Sequence, residues 1–239
     1  MADSDKTGLA KSIDFSLPDA RAPAQRQTMA WSVFTQSGQR KYLLASERAA
    51  FASAARRAND MTGSFCMTLA FTGARISEVL ALTHDRIDFE NSALVFETLK
   101  RRQRGIFRAV PVPPELLSYL DAIHEVRNRQ NGSDRTNRLW PYSRPTAWKW
   151  VKDAMRAANI DASIAKPKAL RHAFGVQAVQ DRIALSLVQK WLGHAKIETT
   201  AIYATPIGEE ERALARLTWM GLMPSLRPQA RKLARQQRA

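Results

Sequence analysis

The sequence predicts a mainly α-helical domain with a small antiparallel β-sheet, an α+β arrangement. Three observations lead there. The chain has 239 residues, 45% of them apolar and 25% charged, which suffices for a hydrophobic core and is ordinary for a globular protein. Helix start and stop signals recur through its middle at helix-length intervals. One place carries paired β-type runs, 93–98 (ALVFET) and 106–112 (IFRAVPV), around a cationic turn, KRRQRG.

Taken in order, residues 1–40 read as an N-terminal arm. They mix Asp, Ser, Pro, Gln and Arg, and Pro18 and Pro23 interrupt any helix. Residues 46–59 are alanine-rich, with Ser46 as the expected N-cap. The apolar run 64–71 is assigned to a helix ended by Thr72-Gly73, and 76–82 to the next one. Pro113-Pro114 opens a helix, since proline suits a first helical position, and Leu116, Leu117, Leu120, Ile123 and Val126 share its apolar face. Ser143 caps a helix over 144–159 in which Trp148, Val151 and Met155 form the apolar set. Trp148, Trp150 and Trp191 are expected in the core rather than as base-stacking platforms. Helices over 168–180 and 184–192 and a turn near 198–204 follow, and 209–226 carries an apolar set suited to a final helix. The expected domain is 41–226. From Arg227 onward the chain reads as a basic tail, 227–239.

Charge narrows the partners. Lys and Arg total 37 against 22 Asp and Glu, a net charge of +15, which favours a polyanion. No run of about 18 apolar residues exists, and no apolar run follows the N-terminal Met-Ala-Asp-Ser-Asp-Lys, so neither a membrane span nor a signal peptide is expected. Nucleic acid in a bacterial or mobile-element cytoplasm, at the nucleoid, is the expected setting. Cys66 is the sole cysteine, which excludes an internal disulfide and a cysteine zinc site, and the four histidines stand at no metal-ligand spacing. No metal and no cofactor are expected.

Four segments gather cations beside polar groups. They are Thr72-Gly73-Ala74-Arg75-Ile76-Ser77-Glu78, the hairpin with Lys100, Lys168-Ala-Leu-Arg171-His172, and Leu192-Gly193-His194 followed nine residues later by Tyr203. Over roughly residues 42–215 this ordered set resembles the catalytic domain of the tyrosine recombinase (phage integrase) family. That family's pattern is an Arg after a Thr-Gly turn, a hairpin Lys, His-x-x-Arg, Leu-Gly-His and a nucleophilic Tyr. Two departures stand out. Lys168 occupies the place of the usual His, and about 40 residues precede the catalytic region where most members carry a DNA-clamping domain.

The resemblance implies a site whose chemistry is physically sensible. Arg75 and Arg171 would clamp the phosphodiester, because a planar guanidinium donates to two oxygens at once. His194 would add a third donor where negative charge develops. Tyr203 would attack phosphorus to form a 3′-phosphotyrosyl link. Lys100 would be the general acid for the departing 5′ oxygen. Lys168 would donate to the phosphate as a fixed cation, so Lys168→His is expected to keep or raise activity. Arg101, Arg102 and Arg104 are expected to contact DNA phosphates.

Plainer readings stand beside these. Glu78, one turn beyond Arg75, either orients that arginine or forms a solvent-facing pair with it. His172 is expected to pack or to bond to backbone, and Cys66 to be a buried small hydrophobe. The function expected is site-specific recombination of duplex DNA by a homo-oligomer (a tetramer on DNA), with an accessory protein as a further expected partner, for integration, excision, inversion or resolution. DNA affinity should depend steeply on salt. A DNA-binding or architectural protein on the same fold, and a type IB topoisomerase-like relaxing enzyme, are the alternatives.

Overall fold

Several helices in this chain begin at a capping side chain or end on a glycine in the left-handed conformation. The computed structural model describes residues 32–98 and 105–204. The arm before residue 32, the tip of the hairpin and everything after residue 204, including 209–226 and the basic tail, lie outside the described residues. Residues from Val33 onward belong to one unit.

Helix α1 is Ala45–Arg57. Its N-cap position falls to Leu44 rather than Ser46, because the Glu47 carboxylate reaches back to the Leu44 N–H (2.8 Å) while Arg40 grips both carboxylate oxygens. Helix α2, Asp60–Thr72, starts a full turn earlier than its apolar run, since the Asn59 side chain accepts from the Thr62 N–H. It is buried on most sides and packs against α1 and four later helices. Three of its buried polar side chains are engaged: the Thr68 and Thr72 hydroxyls donate to carbonyls one turn back, and Ser64 Oγ meets His124 Nε2 and accepts from Trp140 Nε1. Phe65 packs edge-on against Trp140 and Trp150. Cys66 is buried, as expected.

Helix α3 is Ile76–Leu80. The antiparallel sheet has three strands in the order β1 (Ile87–Asp88), β2 (Ala93–Glu97) and β3 (Phe107–Pro111), so the expected hairpin gains a two-residue strand too short to be read in advance. Leu94 opposes Val110 and Phe96 opposes Arg108. The long helix expected after Pro113 is two: α4 (Pro114–His124) and α5 (Val126–Gln130), split where Glu125 adopts the left-handed conformation, φ 52°. Val126 is nevertheless fully buried.

Helix α6, Arg144–Ala157, is capped by Ser143, which accepts from the Thr146 N–H. Trp148 corrects an expectation: it is 44% exposed, under the Lys152 ammonium at 5.6 Å, while Trp150 packs against the core in its place. Helices α7 (Pro167–Gln180), α8 (Leu185–Leu192) and α9 (Glu198–Ala201) complete the described chain. With α1, α4 and α6, helix α7 surrounds α2. Among the described residues no helix is long and apolar enough to cross a membrane.

Candidate active site

The site forms where the ends of α2 and α8 meet the first turns of α7. Helix α2 ends on Gly73 in the left-handed conformation (φ 60°), and a Cβ there would lie 2.8 Å from the Phe174 ring and 3.0 Å from Leu192. Glycine is therefore required on two counts, backbone and space. Its carbonyl accepts from Arg171 Nη1 (2.9 Å), and Arg171 Nη2 donates to the carbonyl of Leu192, the last residue of α8. Arg171 is buried (8% exposed). Burial pushes its pKa down to about 10 and Arg75 pushes the same way, against Glu78 and Tyr203; it remains a cation at neutral pH.

Arg75 occupies the N-cap of α3. Its backbone N–H donates to Glu78 Oε2 (2.9 Å) and its Nη1 to Glu78 Oε1 (2.6 Å). The Arg75 side chain is still 29% exposed, so it presents charge outward while Glu78, at 0%, lies wholly inside. Burial raises the Glu78 carboxyl, but Arg108 and Arg75 outweigh it and hold it below the usual range. Of the two readings of Glu78, the geometry is that of a buried brace for Arg75.

Arg108 was not singled out by the sequence. It sits on β3, donates from Nη2 to Glu78 Oε2 (2.6 Å) and from Nε to the Trp191 carbonyl (2.8 Å), and lies over the Phe96 ring. Gly193 (φ 63°) lets it pass, since a Cβ there would come within 3.0 Å of its Nη1. A signal was available: with Val110 facing inward, strand alternation turns Arg108 inward too.

Tyr203 is 4% exposed. Its ring fits only because residue 175 is glycine, where a Cβ would fall 2.5 Å from the ring. His194 stacks on it at 6.3 Å between centroids and 22° between planes, and is itself held by Nδ1 against Thr200 Oγ1 (2.9 Å). The Tyr203 hydroxyl lies 3.0 Å from His172 Nδ1, which corrects the expectation that His172 merely packs or bonds to backbone. Burial raises the phenol to about 12, with Arg171 and Arg75 pulling it back. Burial lowers His172 to about 4, aided by Lys168, Arg171 and Lys41. Lys168 itself is exposed at the start of α7.

Of the expected residues, His194 stacks directly on Tyr203, Arg171 and Arg75 act on Tyr203 through their charge, and Lys168 acts on His172 in the same way. Lys100, Arg101, Arg102 and Arg104 lie outside the described residues. Beside α3 an open pocket of about 690 Å³ is lined by Ser77, Arg86, Arg138, Tyr142 and Arg144 among others. Among the described residues no three His, Cys, Asp or Glu side chains gather to hold a metal ion.

A domain of this architecture, with basic groups gathered around a buried tyrosine, is that of a recombinase catalytic domain. The chain belongs to the phage integrase family, whose description matches residues 41–209. It is 33% identical over 165 residues to tyrosine recombinase XerD of Mycobacterium tuberculosis, covering 65% of this chain and 50% of that protein. It is 31% identical over 138 residues to tyrosine recombinase XerA of Pyrococcus furiosus, covering 55% and 46%. The chain thus spans about half the length of the curated relatives it matches. Among solved structures, XerA recombinase superposes with a TM-score of 0.59 at 23% identity, over 74% of this chain and 62% of that one. XerH site-specific recombinase bound to its difH substrate gives 0.59 at 20%, over 78% and 59%. These two establish the fold.

Proposed function

We propose that this chain cuts and rejoins duplex DNA at specific sites through a 3′-phosphotyrosyl link to Tyr203, needing neither metal nor ATP. The observation that carries this reading is the convergence of Tyr203 with Arg171, Arg75 and His194, delivered by four separate chain segments onto one spot.

The geometry suits the reaction. Arg171 spends two N–H groups on carbonyls and is fixed by them, while Arg75 is held on one edge by Glu78 and open on the other. A phosphodiester placed between them would find its non-bridging oxygens met by preorganised donors, with His194 alongside. Tyr203 rests as a neutral phenol at pH 7. As Oη bonds to phosphorus its proton passes to water, the P–O5′ bond breaks, and Lys100 returns a proton to the 5′ oxygen. The covalent link keeps the energy of the bond, so a 5′ hydroxyl from another strand reseals it without ATP. Cationic side chains do here what metal ions do in other phosphoryl-transfer sites.

The DNA partner is supported by the net charge of +15, by the arginine-lined pocket beside α3, and by the relative XerH solved on its difH substrate. Assembly as a homo-oligomer (a tetramer on DNA) in the cytoplasm, with Arg101, Arg102 and Arg104 on phosphates and an accessory protein where needed, completes the proposal. The test is covalent trapping in EDTA on nicked duplexes tiled across the DNA flanking its own gene. A protein–DNA band on a denaturing gel that Tyr203→Phe abolishes is the expected outcome. Tight binding with no band would favour the DNA-binding alternative, and a band with relaxation but no pairing of two DNAs would favour the topoisomerase-like one.

A further inference from the structure

His172 makes one hydrogen bond among the described residues, and it is to the hydroxyl of Tyr203. Its other nitrogen, Nε2, is buried and has no partner among the described residues. A buried polar atom left unpaired is costly, and a ring serving only to fill space would be better replaced by an apolar one. The ring therefore has a reason to be polar, and the one polar contact it makes identifies that reason. The two rings meet edge-on at 5.7 Å, while His194 stacks on the face of Tyr203, so the tyrosine is fixed in both direction and tilt.

Which nitrogen carries the proton follows from the surroundings. The charged groups acting on His172 are Lys168 from the start of α7, its neighbour Arg171, and Lys41 from the segment before α1, all of them cations. Burial first, and these cations with it, oppose an imidazolium, so the ring is neutral and does not take the phenol's proton. Burial keeps Tyr203 a neutral phenol at rest, while Arg171 and Arg75 pull it toward the phenolate that must form as it attacks. A phenolate oxygen has no hydrogen to give, so only a proton on Nδ1 keeps this contact a hydrogen bond once Tyr203 ionises.

We propose that His172 is a catalytic residue of this site: its Nδ1–H donates to Tyr203 Oη, aims that oxygen and stabilises the phenolate that attacks phosphorus. The inference rests on the reading of Tyr203 as nucleophile. It also gives a division of labour in a chain where Lys168 stands for the usual His. Lys168 supplies charge from the surface of α7, and His172, buried four residues along the same helix, supplies the directed contact.

The experiment is single-turnover adduct formation by the full chain on whichever nicked duplex traps the wild type, with DNA affinity measured in parallel. His172→Phe keeps a ring and removes the donor; His172→Asn places an amide N–H close to where Nδ1 stood. Loss of one preorganised donor should slow adduct formation by about 100-fold in His172→Phe with DNA affinity unchanged, and His172→Asn should recover most of that rate. The rise of the rate with pH should also move to higher pH in His172→Phe, because the phenolate has lost its donor. A His172→Phe rate within about 3-fold of wild type, or a pH profile that does not move, would overturn the role of His172 while leaving the reading of Tyr203 intact. Equal impairment of both variants with both unfolding at lower temperature would overturn it too, by reducing the ring to packing. A wild type that forms no adduct with any duplex would instead sink the underlying reading.

Discussion

Arg108 links parts of this molecule that lie far apart along the chain. From β3 it ties the Glu78 carboxylate, and through it Arg75, to the Trp191 carbonyl at the end of α8. It is 5% exposed and its partner 0%. Arg108→Met removes one half of a buried ion pair and leaves Glu78 with Arg75 alone. The expected cost is about 3 kcal/mol of unfolding free energy, read from urea denaturation. Combined with Glu78→Gln the cost should be less than the sum of the two, because each variant already breaks the shared contact. Arg108, and the contact of His172 with Tyr203, escaped the sequence reading for different reasons. Arg108 followed from strand alternation, had alternation been applied to a charged residue. His172 depends on a contact across 31 residues of chain, which no local pattern encodes.

At the level of elements, the two-helix break at Glu125 is a place where sequence and backbone disagree. A non-glycine residue at φ 52° costs about 1 kcal/mol, and the Glu125–Arg129 pair, with its atoms 3.6 Å apart and both side chains well exposed, offers little in return. Glu125→Gly should raise the thermal midpoint, by a stability gain of about 0.5 kcal/mol once the looser unfolded chain is counted. The helices themselves were legible because their ends are written in local chemistry: Ser143 as a cap, Pro114 at a first turn, Gly73 and Gly193 as left-handed stops. The hairpin strands were legible from their alternation. What was not legible depended on tertiary context. The first turn of α2 reads poorly as helix through Met61-Thr62-Gly63 and rests on the Asn59 cap together with burial, β1 exists only because β2 pairs with it, and Trp148 lies on a face of α6 left partly open among the described residues.

The whole molecule should be sensitive to acid. His124 and His172 are both buried, and burial first of all lowers each to about 4 from 6.5. Between those values the unfolded chain binds protons that the folded one does not, so stability rises with pH across that window and is lost as pH falls from about 6.5 toward 4. Each histidine withdraws at most about 3 kcal/mol. Glu78, a carboxyl held below its usual range, works in the same direction at still lower pH. Urea midpoints measured from pH 7 to pH 4 should fall steeply for the wild type. They should fall less steeply for His124→Gln, which has no proton to gain.

Arg171 grips two carbonyls that belong to the C-terminal ends of two helices, Gly73 after α2 and Leu192 in α8. The amides of Gly73 and Gly193 close those same ends, bonded to Leu69 and Lys190. One guanidinium therefore staples together two turns that lie far apart along the chain, and neither can fray without releasing it. In native-state hydrogen exchange these two amides should behave as members of a single cooperative opening unit, sharing one free energy and one denaturant dependence. In Arg171→Met they should part company, each exchanging by its own local fluctuation, so that the loss of one side chain is read out as two helix ends that no longer keep time with each other.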